Sequence, residues 1–227
     1  MDYSHIDNLD YGITQEGVHE LLHGKGAAKM SLLVPLIKAR PLQEALQQER
    51  KVDMLPSPTI GIVYQDFTQK MDFQDVALIE KLENKLRKTL LEKLYVSYGL
   101  QPVRILLFDS IILQHYPLVA SKKSFAIPPH QDHKAFVELI VILLVEGGSY
   151  FYIAEDKHQK KEVYINAKPM DLIVMRGYDF AGKGDMRPVH YVKKIQGRGG
   201  RTSLTFRMLS KNKEHLATLE QAFGTAK

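Results

Sequence analysis

An α+β fold is what this sequence predicts: a β-sandwich or jelly roll of short strands, with one long helix packed against a sheet. Three observations carry that reading. Eight short apolar or alternating segments follow one another between residues 103 and 209, punctuated by Gly, Pro and charged turns. The stretch 75–98 instead repeats apolar residues at spacings of three and four, which is helical. From Val103 the character changes to β, which suggests that the long helix packs on one sheet of the strands that follow.

Taken in order, residues 1–30 show little periodicity beyond a short helix over 15–23, stopped by Gly24 and Gly26. Residues 30–38 are apolar enough for a strand or short helix leading to Pro41. A helix over 41–51 would then carry Pro41 at its first position, where a missing N–H costs nothing. A loop at 53–58 holds Pro56 and Pro58, and 59–65 (TIGIVYQ) reads as a strand. In 75–98, Val76, Ile79, Leu82, Leu86, Leu90 and Leu94 form the apolar stripe, and Gly99 supplies the stop. Its mixed-charge face, from Glu80 to Lys93, reads as solvated surface.

Strands follow at 103–108, 111–116, 136–145, 149–154, 161–166, 171–176, 188–193 and 201–209, with turns at 146–148, 155–160, 167–170, 177–187 and 196–200. A last helix over 210–223 would cover a sheet edge and end at Gly224. No internal repeat or composition break divides the chain. It reads as a single domain: 1–100 a mainly helical support or lid, 101–210 the jelly-roll core, and 211–227 the C-terminal helix.

Composition narrows the chemistry. The chain has 227 residues, enough for one substantial core, with 44% hydrophobic and 25% charged residues as in soluble globular proteins. It has no cysteine, which excludes disulfides, thiolate nucleophiles and Cys-ligated metal sites. That fits a cytoplasmic or other reducing intracellular compartment. The N-terminal stretch is acidic and polar, unlike a signal peptide. The longest apolar run, 139–145, is too short to cross a membrane and reads as a buried strand. The net charge of +5 and pI near 9.1 suit a polyanionic partner such as DNA or RNA, or solubility alone.

The chemistry concentrates between residues 112 and 209. His130 and Asp132 are two apart, which on a β-strand points both side chains to one face. His190 is a third candidate ligand. Two imidazoles and one carboxylate with open positions beside them is the donor set of non-haem Fe(II) oxygenases. His5-Ile6-Asp7 has the same form but lies in what reads as a frayed terminus with no strand context, so it is taken as surface. In 201–207 (RTSLTFR) the alternation puts Arg201, Ser203, Thr205 and Arg207 on one face and Thr202, Leu204 and Phe206 on the other. Two guanidinium groups on the metal-facing side would suit a dicarboxylate.

At these residues the chain resembles the AlkB-type Fe(II)/2-oxoglutarate dioxygenases. Gln114-His115-Tyr116 stands where that family has Asn-x-Tyr, and His130-Gln131-Asp132 matches its His-x-Asp. The segment from Met170 to Met175 resembles its Gly-Asp-apolar strand, and Pro188-Val189-His190 the strand bearing the distal histidine. Arg201 to Arg207 is the closest match, with arginines six apart as in the family. The likeness covers 103–209, a little under half the chain. It implies a double-stranded β-helix (jelly roll) in which His130, Asp132 and His190 hold Fe(II). It also implies that Arg201 and Tyr116 grip the distal carboxylate of 2-oxoglutarate, that Arg207 lies near the carboxylate chelating iron, and that Gln114 and Ser203 contact the cosubstrate. The cofactors would be Fe(II), 2-oxoglutarate and O2.

The reaction so implied decarboxylates 2-oxoglutarate to succinate and CO2 and oxidises a C–H bond, most simply on an alkylated or methylated nucleobase. Oxidation at an N-methyl group would end in formaldehyde release. The same ligand set also serves hydroxylases of small molecules, amino acids and protein side chains, and a metal-free binding module is a third reading. Gln for Asn at 114, the long 116–130 connection, and a stretch before residue 100 with no matched nucleotide-recognition motif mark departures from the family. His133 and Lys134 are placed to approach substrate. Lys122-Lys123, the run from Lys157 to Lys161, Lys193-Lys194 and Arg198 would either meet phosphates or be solvated loop tips. Tyr150 and Tyr152 would pack in the core or stack a base.

Overall fold

The computed structural model describes residues 3–50, 55–56, 68–99, 107–117, 126–196 and 199–223. The strand expected at 59–65, most of that at 103–108, Lys122-Lys123, Arg198 and the Lys194 side chain lie outside the described residues.

Twelve strands are described: β1 (Tyr11–Gly12), β2 (Ala27–Leu32), β3 (Leu55–Pro56), β4 (Thr68–Lys70), β5 (Ser110–Tyr116), β6 (Ile127–His130), β7 (Phe136–Glu146), β8 (Gly148–Ala154), β9 (Val163–Ile165), β10 (Leu172–Arg176), β11 (Val189–Gln196) and β12 (Arg201–Leu209). They form an eight-stranded antiparallel sheet, in the order β1-β2-β10-β7-β12-β5-β4-β3, and a four-stranded one, β6-β11-β8-β9. The two sheets close over a shared apolar interior, which makes a double-stranded β-helix.

Alternation explains how one sheet serves two cores. On β7, Phe136, Ile140, Ile142 and Leu144 point into the space between the sheets, where they meet Phe151 and Ile153 of β8 and Val192 of β11. Leu139, Val141, Leu143 and Val145 point the other way, onto helices. A central strand buried on both faces reads as an unbroken apolar run, which is why 139–145 shows no polar alternation. On β12, Leu204, Phe206 and Met208 join the helix-side core, leaving Arg201, Ser203, Thr205 and Arg207 on the inner face, as the sequence alternation predicts.

The helices are α1 (Ser4–Asp7), α2 (Gln15–Leu22), α3 (Leu36–Arg50), α4 (Val76–Leu90) and α5 (Lys213–Phe223). In α2, the Thr14 side chain accepts from Gly17 N at the N-terminus. In α4, the Asp75 carboxylate accepts from Leu78 N, and Leu78, Leu82, Leu86 and Leu90 are fully buried on the large sheet. Each such leucine contributes about 1.5–3 kcal/mol by leaving water. The helical path continues through a π-type turn, Leu91–Val96, and ends before Gly99 at φ +64°.

Two expectations are corrected, and one strand is added. Pro41 does not open its helix: α3 begins one residue after Pro35, and Pro41 sits inside it. The Ile37 carbonyl, which Pro41 cannot reach as a donor, belongs to a turn where Ile37 is 66% exposed, so water can satisfy it. β6, which the expected strands do not include, is a strand as well. It lies at the edge of its sheet, where Pro128 and Pro129 cost no ladder bonds. Tyr150 and Tyr152 are not core residues: Phe151 and Ile153 take the inner face of β8, and the tyrosines lie outside, Tyr152 stacking on Tyr191 at 5.4 Å. No helix among the described residues is long and apolar enough to cross a membrane.

Candidate functional site

β6 and β11 are adjacent, and their register pairs His130 with His190. The ring centroids are 4.3 Å apart. Asp132 reaches the same point differently from the expectation. β6 ends at His130, so Asp132 lies in the loop before β7, and the two-residue strand period is not what aims it. One ligating atom from each of His130, Asp132 and His190 lies within 4.8 Å of the others. His5 and Asp7 take no part. They sit in α1, an ordered helix and not a frayed end, where Asp7 pairs with Lys81 at 2.7 Å.

The imidazoles are oriented by backbone carbonyls. His130 Nδ1 lies 2.8 Å from Pro128 O, and His190 Nδ1 lies 3.4 Å from Pro188 O. A carbonyl only accepts, so each Nδ1 carries the proton and each Nε2 keeps a free lone pair. Phe151 stacks on His190 at 5.8 Å and 17°. Burial pushes both rings down, His190 to about 4, against the opposing pull of Asp132. Both are therefore neutral near pH 7, the form that binds a metal. Burial alone would raise the Asp132 carboxyl. The neighbouring positive charge, Arg207 foremost, overrules that and holds it below its ordinary range. Asp132 Oδ1 is 3.3 Å from Arg207 Nη2, and Oδ2 is 3.5 Å from His190 Nε2.

The inner face of β12 and its neighbour β5 supply the rest. Their register sets Arg201 opposite Tyr116, Ser203 opposite Gln114 and Arg207 opposite Ser110. Arg201 is only 2% exposed. Its guanidinium donates to Ser203 Oγ at 3.0 Å and lies 5.3 Å from the Tyr116 ring centroid. Its Nε has no partner, and among the described residues no carboxylate lies within ion-pair distance. Gln114 Oε1 accepts from Thr205 Oγ1 at 3.1 Å. Burial pushes the Tyr116 phenol up to about 12 despite Arg201 and Arg207, so it stays a donor.

The donor set fits a divalent metal of the Fe(II) type, since two neutral imidazoles and one carboxylate leave further coordination positions open. A buried guanidinium without an acidic partner, a short way along the same face, fits the far carboxylate of a dicarboxylate. Of the eight expected site residues, His130, Asp132 and His190 converge with Arg207 against Asp132, while Arg201, Ser203, Gln114 and Tyr116 lie on the paired inner faces of β12 and β5. His133 and Lys134 sit in the loop after Asp132. His133 Nδ1 accepts from Ala135 N at 3.1 Å, and Lys134 lies 6.0 Å from the Tyr178 ring. Of the described basic residues, Lys160 and Lys161 pair with Glu155, and Lys193 on β11 pairs with Glu162.

Sequence reading missed Arg187, which lay in an assumed turn and donates to the Asp132 carbonyl. It also missed the stacking of Phe151, for which the period-2 pattern of β8 was the available signal.

No protein-family model matches the chain, and no curated protein matches it. Solved structures do. A prolyl hydroxylase from Trichoplax adhaerens, in complex with a hypoxia-inducible-factor peptide fragment, superposes with a TM-score of 0.59 at 12% identity, covering 89% of this chain and 90% of that one. A full-length protein from Neurospora crassa, in complex with α-ketoglutarate, gives 0.56 at 11% identity, over 87% and 80%. OsALKBH1 gives 0.52 at 12% identity, over 81% and 98%. The chain therefore shares the double-stranded β-helix fold of these structures, with its own His130, Asp132 and His190 converging between the sheets.

Proposed function

We propose that this protein is an Fe(II)/2-oxoglutarate-dependent dioxygenase. The observation that carries the reading is the convergence of His130, Asp132 and His190 in a fold that also buries Arg201, on the same β12 face as Arg207, as a cation that no acid among the described residues meets. Bound there, Fe(II) with 2-oxoglutarate and O2 supplies the oxidant for a C–H bond, while 2-oxoglutarate is decarboxylated to succinate. The chain's own groups hold and orient. His130 and His190 offer Nε2, and Asp132 brings the negative charge. Arg207 keeps that carboxylate ionised and in place. Arg201, helped by Tyr116 and Ser203, receives the distal carboxylate, and Gln114 braces the same face through Thr205. The aromatic and aliphatic side chains between the sheets exclude water from the reacting atoms.

For the substrate we propose an alkylated or methylated nucleobase in single-stranded or flipped-out DNA or RNA. The net charge of +5 and pI near 9.1 support it, since they suit a polyanionic partner. A further support is that a second structure of the Neurospora crassa protein holds 5-formyluracil beside α-ketoglutarate. A second reading, hydroxylation of an amino acid, protein side chain or small molecule, is supported by the likeness to prolyl hydroxylases.

An anaerobic titration of the purified protein with Fe(II) and 2-oxoglutarate tests the cofactor pair. A saturable visible charge-transfer band is expected, and its absence in folded protein would leave a metal-free binding module as the reading. Formaldehyde release from methylated oligonucleotides then supports the nucleobase, whereas gain of one oxygen by amino acids or peptides supports the second reading.

A further inference from the structure

The loop carrying Asp132 is laced to the segment carrying His190 by one side chain, Arg187. Every nitrogen of its guanidinium is engaged. Nε and Nη2 grip Asp185 bidentately at 2.7 and 2.6 Å, and Nη1 donates to the backbone carbonyl of Asp132. A bond returns in the opposite direction, from Gln131 Nε2 to Arg187 O at 2.8 Å. The Arg187 side chain is 8% exposed and lies 5.8 Å from the Tyr178 ring centroid.

This lacing falls where no strand ladder holds the chain. His130 and His190 are held by the β6–β11 ladder, whereas residues 131–133 belong to no strand. An aspartate side chain is short, so the position of its carboxylate follows its main chain closely. We propose that Arg187 is a positioning residue for the metal centre: it fixes the Asp132 main chain so that the carboxylate faces His130 and His190. Arg207 acts on the carboxylate itself, and Arg187 acts on the backbone beneath it. The inference rests on the metal-centre reading above.

Co(II) titration of the full chain tests it, read by visible ligand-field absorption and by affinity, with thermal melting of the metal-free protein alongside. Arg187→Ala is expected to melt as wild type does within a few degrees and to bind Co(II) about 10–100-fold more weakly, the usual cost of losing a partner that orients a ligand. Its ligand-field spectrum should shift as well. Arg187→Lys should recover part of the affinity, because an ammonium can reach one carbonyl but cannot grip Asp185 bidentately. Should Arg187→Ala fail to fold, Gln131→Ala carries the test from an exposed position and should weaken Co(II) several-fold.

Wild-type affinity and spectrum in folded Arg187→Ala, or in Gln131→Ala if that variant must stand in, overturn the proposal. Wild-type protein that binds no Co(II) overturns the metal-centre reading together with it. A metal-binding wild type with an indifferent Arg187 overturns this inference alone.

Discussion

His130 and His190 are register partners on neighbouring antiparallel strands, and their rings stand 4.3 Å apart between centroids. Sixty residues of chain separate them, so the pair exists only because β6 meets β11 in this register at His130, the ladder shifting between that pair and Ile127–Val192. A one-residue slip would turn one imidazole to the outer face.

The sharpest consequence concerns His190. His190→Ala should abolish the Fe(II)–2-oxoglutarate absorption band, with metal affinity falling by more than the roughly 100-fold that loss of a ligand's supporting partner costs. Melting of the metal-free protein should change little, because the polar contacts of the imidazole among the described residues are long, 3.4 Å to Pro188 O and 3.5 Å to Asp132. Anaerobic titration and a melting curve check both.

Arg201 should separate binding from stability. Arg201→Met removes the cation proposed to receive the distal carboxylate, worth about 2–3 kcal/mol, so the KM for 2-oxoglutarate should rise roughly 30- to 150-fold. Fe(II) affinity should hold. Burial already pulls the Arg201 guanidinium below its ordinary pKa, and no acid among the described residues compensates it, so the metal-free fold should gain about 1–3 kcal/mol. Steady-state kinetics and urea unfolding measure the two effects.

On the other face of the same strand the outcome inverts. Leu204 is fully buried against the helices. Leu204→Ala should cost about 2–5 kcal/mol of stability through the lost apolar surface and the cavity left behind. At a temperature where the variant stays folded, its KM for 2-oxoglutarate should match wild type, because Leu204 turns away from Arg201.

Acid sensitivity should be traceable to Glu49. Its carboxylate pairs with Lys70 at 2.9 Å, with the Glu49 side chain 5% exposed and that of Lys70 4%, and accepts from Gln74 N and Asp75 N at the start of α4. Burial opposes ionisation, but Lys70 and the two amides prevail and hold the pKa below 4.5. A carboxyl depressed on folding contributes stability above its unfolded pKa and loses it as pH falls through the folded value. Stability should therefore decline below about pH 4.5, and Glu49→Gln should flatten that slope. Glu49→Ala should cost about 3–5 kcal/mol at neutral pH, because Lys70 is left buried without its carboxylate. Denaturant unfolding across pH checks both variants.

How far the sequence could be read depends on whether the deciding interactions were local. β12 was readable residue for residue, because Leu204 and Phe206 alternate with Arg201, Ser203, Thr205 and Arg207 at the strand period. The leucines of α4 were readable at helical spacing, and the three residues that cluster as candidate ligands from residue type and order. Pro41 misled because a proline at a helix start and one tolerated inside look alike without knowing what lies exposed. Tyr150 and Tyr152 misled because alternation names two faces and not which is inner. β6 was hidden by Pro128-Pro129, which only its edge position makes acceptable.

By itself, then, the sequence determined the periodic elements, the faces of β12 and the donor types, since each follows from propensity and from side-chain direction within one element. The tertiary structure alone decided the pairing of His130 with His190, the placement of Asp132 off the strand, and the hold of Arg187 on its carbonyl. Those depend on which strands become neighbours and in what register. That choice is set by burying two apolar faces at once, over separations that no local pattern records.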